Sequence, residues 1–121
     1  MYLMGNKSDS SRMTIGANGD LEVTVRQVAE NLDSPAIQLV DCREQEEWDA
    51  GHIDDSHFLP LGEFERRLDE FDRDKQIIVV CRSGNRSHTA AKFLVASGFD
   101  DAKSMAGGLI DWVEQGNDIV S

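Results

Sequence analysis

Apolar runs of strand length that alternate with helical periods predict an α/β fold, an open and mainly parallel sheet flanked by helices on both faces. Three observations carry this. The run Ile77-Ile78-Val79-Val80 contains no polar residue and has the length of a strand buried on both sides. Amphipathic segments precede and follow it. At 121 residues and 40% hydrophobic composition, the chain supports one domain around one core.

Residues 1–20 are rich in Ser, Asn, Gly and Asp without apolar periodicity and read as a flexible tail ahead of a single domain over 21–121. Thr24-Val25-Arg26-Gln27 matches a capping box that opens a short helix to about residue 32, with Val25, Val28 and Leu32 on one face. Pro35 closes the connection. Residues 37–42 form a short apolar strand with Asp41 and Arg43 at its end, and 44–50 a short helix stopped by Gly51. Residues 57–60 are extended, after which Leu61, Phe64, Leu68 and Phe71 recur at helical spacing. The strand over 76–80 leads to a helix over 87–97 with Ala90, Ala91, Leu94 and Val95 inward and Gly98 as its C-cap. A last strand at 102–105 passes through Gly107-Gly108 into an amphipathic helix holding Leu109, Trp112 and Val113.

Twelve basic against 23 acidic residues leave a net charge of −11, which argues against nucleic acid or an anionic membrane as partner. Two cysteines, Cys42 and Cys81, lie in or beside apolar runs without CxxC spacing or the density of a secreted disulfide scaffold, so a reducing compartment is expected. With neither a signal-peptide core nor an apolar stretch of membrane-spanning length, the reading is a soluble, cytoplasmic protein, and its small size predicts a monomer.

The chemistry is declared at Cys81-Arg82-Ser83-Gly84-Asn85-Arg86-Ser87, where a strand becomes a helix. Free backbone N–H groups of such a junction point inward, and the helix dipole adds partial positive charge. Arg82 and Arg86 reinforce it. A thiol in that field is depressed in pKa, which makes Cys81 a nucleophile inside an anion-binding bowl. The substrate expected is a small anion with an electrophilic atom. Salt screens the overall negative charge beyond roughly 10 Å, so local donors decide binding. His52 and His57 do not complete a zinc site with the cysteines on this reading, because a cation would share the bowl with two guanidinium groups. Cys42 reads as a strand-buried packing residue, with a resolving thiol as the alternative.

These residues resemble the single-domain members of the rhodanese-like sulfurtransferase family. Leu39-Val40-Asp41-Cys42-Arg43-Glu44, followed by Glu47-Trp48 and Gly51-His52-Ile53, resembles the family's first signature, and the cysteine loop resembles its catalytic loop. Gly107-Gly108 with Trp112 resembles the closing motif. The resemblance implies a sulfur relay. Cys81 would take a sulfane sulfur from a small anionic donor such as thiosulfate, hold it as a covalent persulfide, and pass it to a thiol or cyanide acceptor, a protein thiol among the candidates. Residues 82–87 would bind the donor: Arg82, Ser83, Gly84, Asn85, Arg86 and Ser87. Asp41, Arg43 and His52 would act structurally beside the site, and no metal or organic cofactor is implied.

The six residues from Cys81 to Arg86 match the sulfurtransferase loop. Related phosphatases and arsenate reductases use one residue more. The basic side chains favour thiosulfate over 3-mercaptopyruvate by the same analogy. A persulfide carrier or regulatory domain acting only on a protein partner needs the same loop and is the alternative function. Two departures stand out: Cys42 where the family often has Val, and Asp54-Asp55-Ser56 where it has Pro-Gly-Ala. Asp55 is therefore expected to take a left-handed backbone conformation.

Overall fold

The computed structural model describes residues 14–16 and 20–121, so most of the expected tail over 1–20 lies outside the described residues. Ile15 exchanges two hydrogen bonds with the Gln76 side chain, its N–H donating at 2.8 Å and its carbonyl accepting at 2.7 Å.

Five strands form one sheet: β1 (Glu22–Val23), β2 (Ile37–Asp41), β3 (His57–Phe58), β4 (Gln76–Val80) and β5 (Lys103–Met105). The order is β1-β5-β4-β2-β3, and every pairing is parallel. Parallel neighbours require crossovers, and helices supply three of the four connections between successive strands: α1 (Val25–Glu30), α2 (Gln45–Ala50) and α3 (Asn85–Ala96), while α4 (Gly108–Glu114) follows β5. None of the described helices is long and apolar enough to cross a membrane.

Central strand β4 is buried throughout, and its period of two splits the core between the faces. Ile77, Val79 and Cys81 point into a cluster with Val40, Cys42, Ala90 and Leu94. Ile78 and Val80 point the other way, toward Val28 of α1 and Leu109 and Trp112 of α4. Each fully buried Val or Ile contributes about 1.5–3 kcal/mol from removal of apolar surface from water. Trp112 also donates its indole N–H to the Asp118 carbonyl at 2.9 Å.

Thr24 caps α1 through the box read from its sequence, accepting from the Gln27 N–H at 3.0 Å while Gln27 Oε1 accepts from the Thr24 N–H at 2.8 Å. Asp55 takes φ 66°, the left-handed region expected of it.

Three local expectations are corrected. Residues 61–71 form two three-residue 3₁₀ turns, Leu61–Glu63 and Leu68–Glu70, rather than an α-helix. The apolar residues pair at i, i+3, the spacing a 3₁₀ turn eclipses, and Arg67 leaves helical geometry between the turns at φ −123° and ψ 36°. Phe64 and Phe71 are nevertheless buried. Second, α1 ends at Glu30, which leaves Leu32 41% exposed. Third, Val95 and Val113 are exposed, because the inward stripe of α3 is Ser87, Ala90, Ala91 and Leu94 and that of α4 is Gly108, Leu109 and Trp112.

Candidate active site

β4 delivers Cys81 to the carboxyl edge of the sheet, and α3 begins four residues later, so the chain must reverse within the loop. Gly84 makes the reversal at φ 104°, with its Cα facing the Gly107 nitrogen, where a Cβ would stand at 3.1 Å. The result wraps backbone donors around the sulfur. Gly84 N–H reaches Cys81 Sγ at 3.1 Å and Ser87 N–H reaches it at 3.3 Å.

A hydroxyl relay continues the wrapping. Ser87 Oγ lies 3.4 Å from the sulfur and 2.6 Å from Ser104 Oγ, and both serines are completely buried. Each hydroxyl carries one proton, so donation from Ser104 to Ser87 leaves the Ser87 proton for the thiolate. The Gly84 carbonyl, 3.2 Å from Ser87 Oγ, is the competing acceptor.

On the other side stands the Cys42 side chain, in the same buried cluster as Cys81. The protonated Cys42 thiol, together with the donors of Ser87 and Gly84, outweighs burial and lowers the Cys81 pKa from 9.0 to about 4. Cys42 moves in the opposite direction, held protonated by its bond to Cys81, by burial and by the neighbouring negative charges. Cys81 is therefore the thiolate of the pair. Because only the thiolate reacts, alkylation of Cys81 by iodoacetamide is expected to stay near its maximum from pH 9 down to about 6 and to fall only as pH approaches about 4. A rate that drops tenfold per pH unit below 8 would contradict this cradle.

The two loop arginines part company. Arg86 forms a two-pronged ion pair with Glu47 of α2, both N–O distances being 2.8 Å. The guanidinium lowers the Glu47 pKa to about 2, and Glu47 in turn raises that of Arg86. Arg82 is exposed, as are Ser83 and Asn85, while Gly84 and Ser87 are buried. Arg82 joins Arg43, Glu47, Ala50, Leu109, Ile110 and Val113 around a groove of about 380 Å³ beside the loop.

The support beneath is a buried ion pair. Arg43 Nε donates to Asp41 Oδ1 at 2.9 Å and Arg43 Nη2 to Oδ2 at 2.9 Å, while the same Nη2 donates to the Gly51 carbonyl at 2.7 Å. This ties the end of β2 to the end of α2, the helix that presents Glu47. His52, next in the chain, hydrogen-bonds through Nδ1 to the Trp48 carbonyl at 2.9 Å and stacks on the Trp48 ring at 3.5 Å. Its backbone exchanges two bonds of 2.8 Å with Val120. His57 bonds instead to Glu70 at 2.8 Å. Among the described residues no three His, Cys, Asp or Glu side chains converge as a metal-ligand set.

The floor of the loop comes from α4. Leu109 N–H donates to the Cys81 carbonyl at 2.9 Å and Ile110 N–H to the Arg82 carbonyl at 3.1 Å. Such close docking leaves no space at Gly108, where φ is 61° and a Cβ would stand 2.4 Å from the Arg82 carbonyl oxygen. Gly108→Ala is expected to destabilise the domain by about 1–3 kcal/mol, measured by urea denaturation, through the left-handed backbone and the displaced loop.

Two participants escaped the sequence reading. Glu47 reads as part of the charge arrangement at a helix N-terminus, and it does receive the Glu44 N–H at 3.0 Å, but its main partner is Arg86. Ser104 is one polar residue on a short strand, and only its burial beside Ser87 marks it. Cys42, read as a strand-buried packing residue with a resolving thiol as the alternative, is buried in the core cluster that also holds Cys81.

The model of the family described as rhodanese-like domain matches residues 24–115. The thiosulfate sulfurtransferase GlpE of Shewanella oneidensis is 33% identical over 92 residues, covering 76% of this chain and 91% of that protein. The putative sulfur carrier protein YrkF of Bacillus subtilis is 33% identical over 92 residues, 75% of this chain, which spans only 50% of YrkF. Among solved structures, a rhodanese-related protein from Thermoplasma volcanium superposes with a TM-score of 0.76 at 31% identity, covering 82% of this chain and 96% of the other. A parallel sheet of this order, a cysteine cradled where β4 meets α3, and a family match across nearly all of the sheet and its helices together place the chain in the rhodanese-like family.

Proposed function

We propose that this protein is a thiosulfate sulfurtransferase, moving sulfane sulfur to a thiol or to cyanide through a persulfide on Cys81, as a cytoplasmic monomer that needs no metal or organic cofactor. The observation that carries this reading is the Cys81 sulfur held beneath the N–H groups of Gly84 and Ser87, donors that favour the thiolate. Cys81 Sγ attacks the outer sulfur of thiosulfate. One S–S bond forms as the other breaks, and the electron pair leaves on sulfite, a weakly basic group that requires no general acid. The first-turn N–H groups of Asn85 and Arg86 have no intrahelical acceptor and face an incoming anion together with the exposed Arg82. The persulfide carries negative charge into the same donors. Both half-reactions then use one site, a ping-pong scheme.

Arg86 contributes through its grip on Glu47 as well as its charge, so Arg86→Ala is expected to raise the thiosulfate KM more than Cys42→Ala does. Steady-state kinetics of the two variants check this, and the reverse ranking would mean that the bowl is misassigned.

The test of the function is intact mass before and after thiosulfate and then after cyanide. A gain of one sulfur, removed by cyanide as thiocyanate appears, supports the relay. A carrier serving only a protein thiol is the second reading, favoured by the name of the B. subtilis relative. It predicts that the sulfur loads but discharges slowly to small acceptors. Turnover of a chromogenic phosphate ester or of arsenate would support neither.

A further inference from the structure

Cys42 takes no step in the sulfur relay, yet it lies against the nucleophile. β2 and β4 pair in register from Ile37 opposite Gln76 to Asp41 opposite Val80. The Cys42 N–H then donates to the Val80 carbonyl at 2.9 Å, which carries the pairing one residue further and sets Cys42 beside Cys81. Neighbouring strands lie about 4.7–4.9 Å apart, within the Cα separation of about 4.4–6.8 Å that a disulfide spans. Both side chains leave the same face of the sheet, into the cluster holding Val40 and Val79. Both are free thiols, 0% and 1% exposed, in the same buried cluster.

We propose that Cys42 and Cys81 form a second reactive site, a dithiol that a hydroperoxide converts into a reversible disulfide. The Cys81 thiolate attacks one oxygen of hydrogen peroxide. An S–O bond forms, the O–O bond breaks, the sulfur is oxidised by two electrons, and the released hydroxide takes a proton from solvent as water. Cys42 then attacks the resulting sulfenic acid. The S–S bond forms, the S–O bond breaks, and the leaving hydroxide takes the Cys42 proton as a second water. Hydrogen peroxide is small and uncharged, so neither the burial of Cys81 nor the acidic surface bars it.

The environment orders these events. In the reduced protein the Cys81 charge and its hydrogen bond are among the causes that keep Cys42 protonated. Oxidation to the neutral sulfenic acid removes that charge and frees Cys42 to attack. A persulfide differs, because its outer sulfur stays anionic inside the cradle, and Cys42 stays protonated. The dithiol thus resolves oxidative attack on Cys81 while leaving a carried sulfur in place.

The test treats the whole chain, as wild type, Cys42→Ser and Cys42→Val, with a small excess of hydrogen peroxide, followed by intact mass and then dithiothreitol. Wild type is expected to lose two hydrogens within one chain and to recover its Cys81 alkylation with dithiothreitol. Both Cys42 variants are expected to gain two or three oxygens, with recovery lower by at least about tenfold, since sulfinic and sulfonic acids are not reduced by thiols. The Val variant keeps an apolar side chain of similar size should Ser disturb the core. Wild type that gains oxygens as fast as the variants, or that forms only an intermolecular disulfide, overturns the proposal. Thiosulfate loading of the reduced wild type runs in parallel and reads the sulfur relay separately, so failure of either reading is recognised without the other.

Discussion

Cys81→Ser abolishes sulfur uptake from thiosulfate, with turnover expected to fall by at least about a thousandfold. The reason is the charge state. Every donor around the sulfur, from Gly84, Ser87 and Cys42, is arranged to hold an anion. A serine hydroxyl stays protonated near neutrality, and its oxygen does not form the persulfide that the relay passes on. Intact mass after thiosulfate should show no added sulfur, and cyanide should yield no thiocyanate. The fold is expected to survive, since the Gly84 and Ser87 N–H groups keep an oxygen acceptor in place of sulfur, so circular dichroism should match wild type. Full transfer by this variant would end the persulfide mechanism.

Arg43→Met has the largest expected effect on stability. Asp41 is 1% and Arg43 6% exposed, and the pair is joined by three side-chain contacts of 2.9–3.1 Å. Without the guanidinium, the buried carboxylate keeps only the Arg43 backbone N–H at 3.1 Å. Leaving a buried charge unpaired costs about 3–5 kcal/mol, a large part of the roughly 5–15 kcal/mol that holds a domain folded. The loss should appear in urea denaturation as a lower midpoint at unchanged slope. Much of it is the penalty of the orphaned carboxylate rather than the worth of the pair, so Asp41→Leu combined with Arg43→Met should recover part of the loss. A single-variant loss below about 1 kcal/mol would mean that Asp41 finds water or a proton at little cost. A second consequence follows from Gly51: without the Arg43 bond to its carbonyl, α2 loosens and Glu47 no longer holds Arg86 in one place. The thiosulfate KM should rise accordingly.

The nucleophile and the strand that carries it are readable in the chain because both signals are local. An uninterrupted apolar run can only be a strand buried on two faces or a helix segment, and its length and β-branched content decide for the strand. A cysteine followed three residues later by a glycine and then a helix start leaves few conformations for the loop. The capping box at Thr24 is equally local and is observed as written. The segment over 61–71 misled for the same reason: spacings of three and four in sequence fit an α-helix, and only the backbone of Arg67 shows that two turns share them.

The partners within the site depend on which strands become neighbours. Glu47 and Arg86 meet across 39 residues, and Ser87 and Ser104 across 17, separations over which no periodicity carries information. Cys42 and Cys81 become neighbours only because β2 lies beside β4 in one particular register. A shift of β2 by one residue would turn Cys42 to the face opposite Cys81. The sequence by itself determined an α/β domain and a cysteine loop where a strand becomes a helix, because these rest on backbone preferences a few residues long. The tertiary structure decided that Arg86 is clasped by Glu47, that Ser104 hydrogen-bonds to Ser87, and that a second thiol stands beside the first. Those facts follow from strand order and register, which are chosen by packing the whole core.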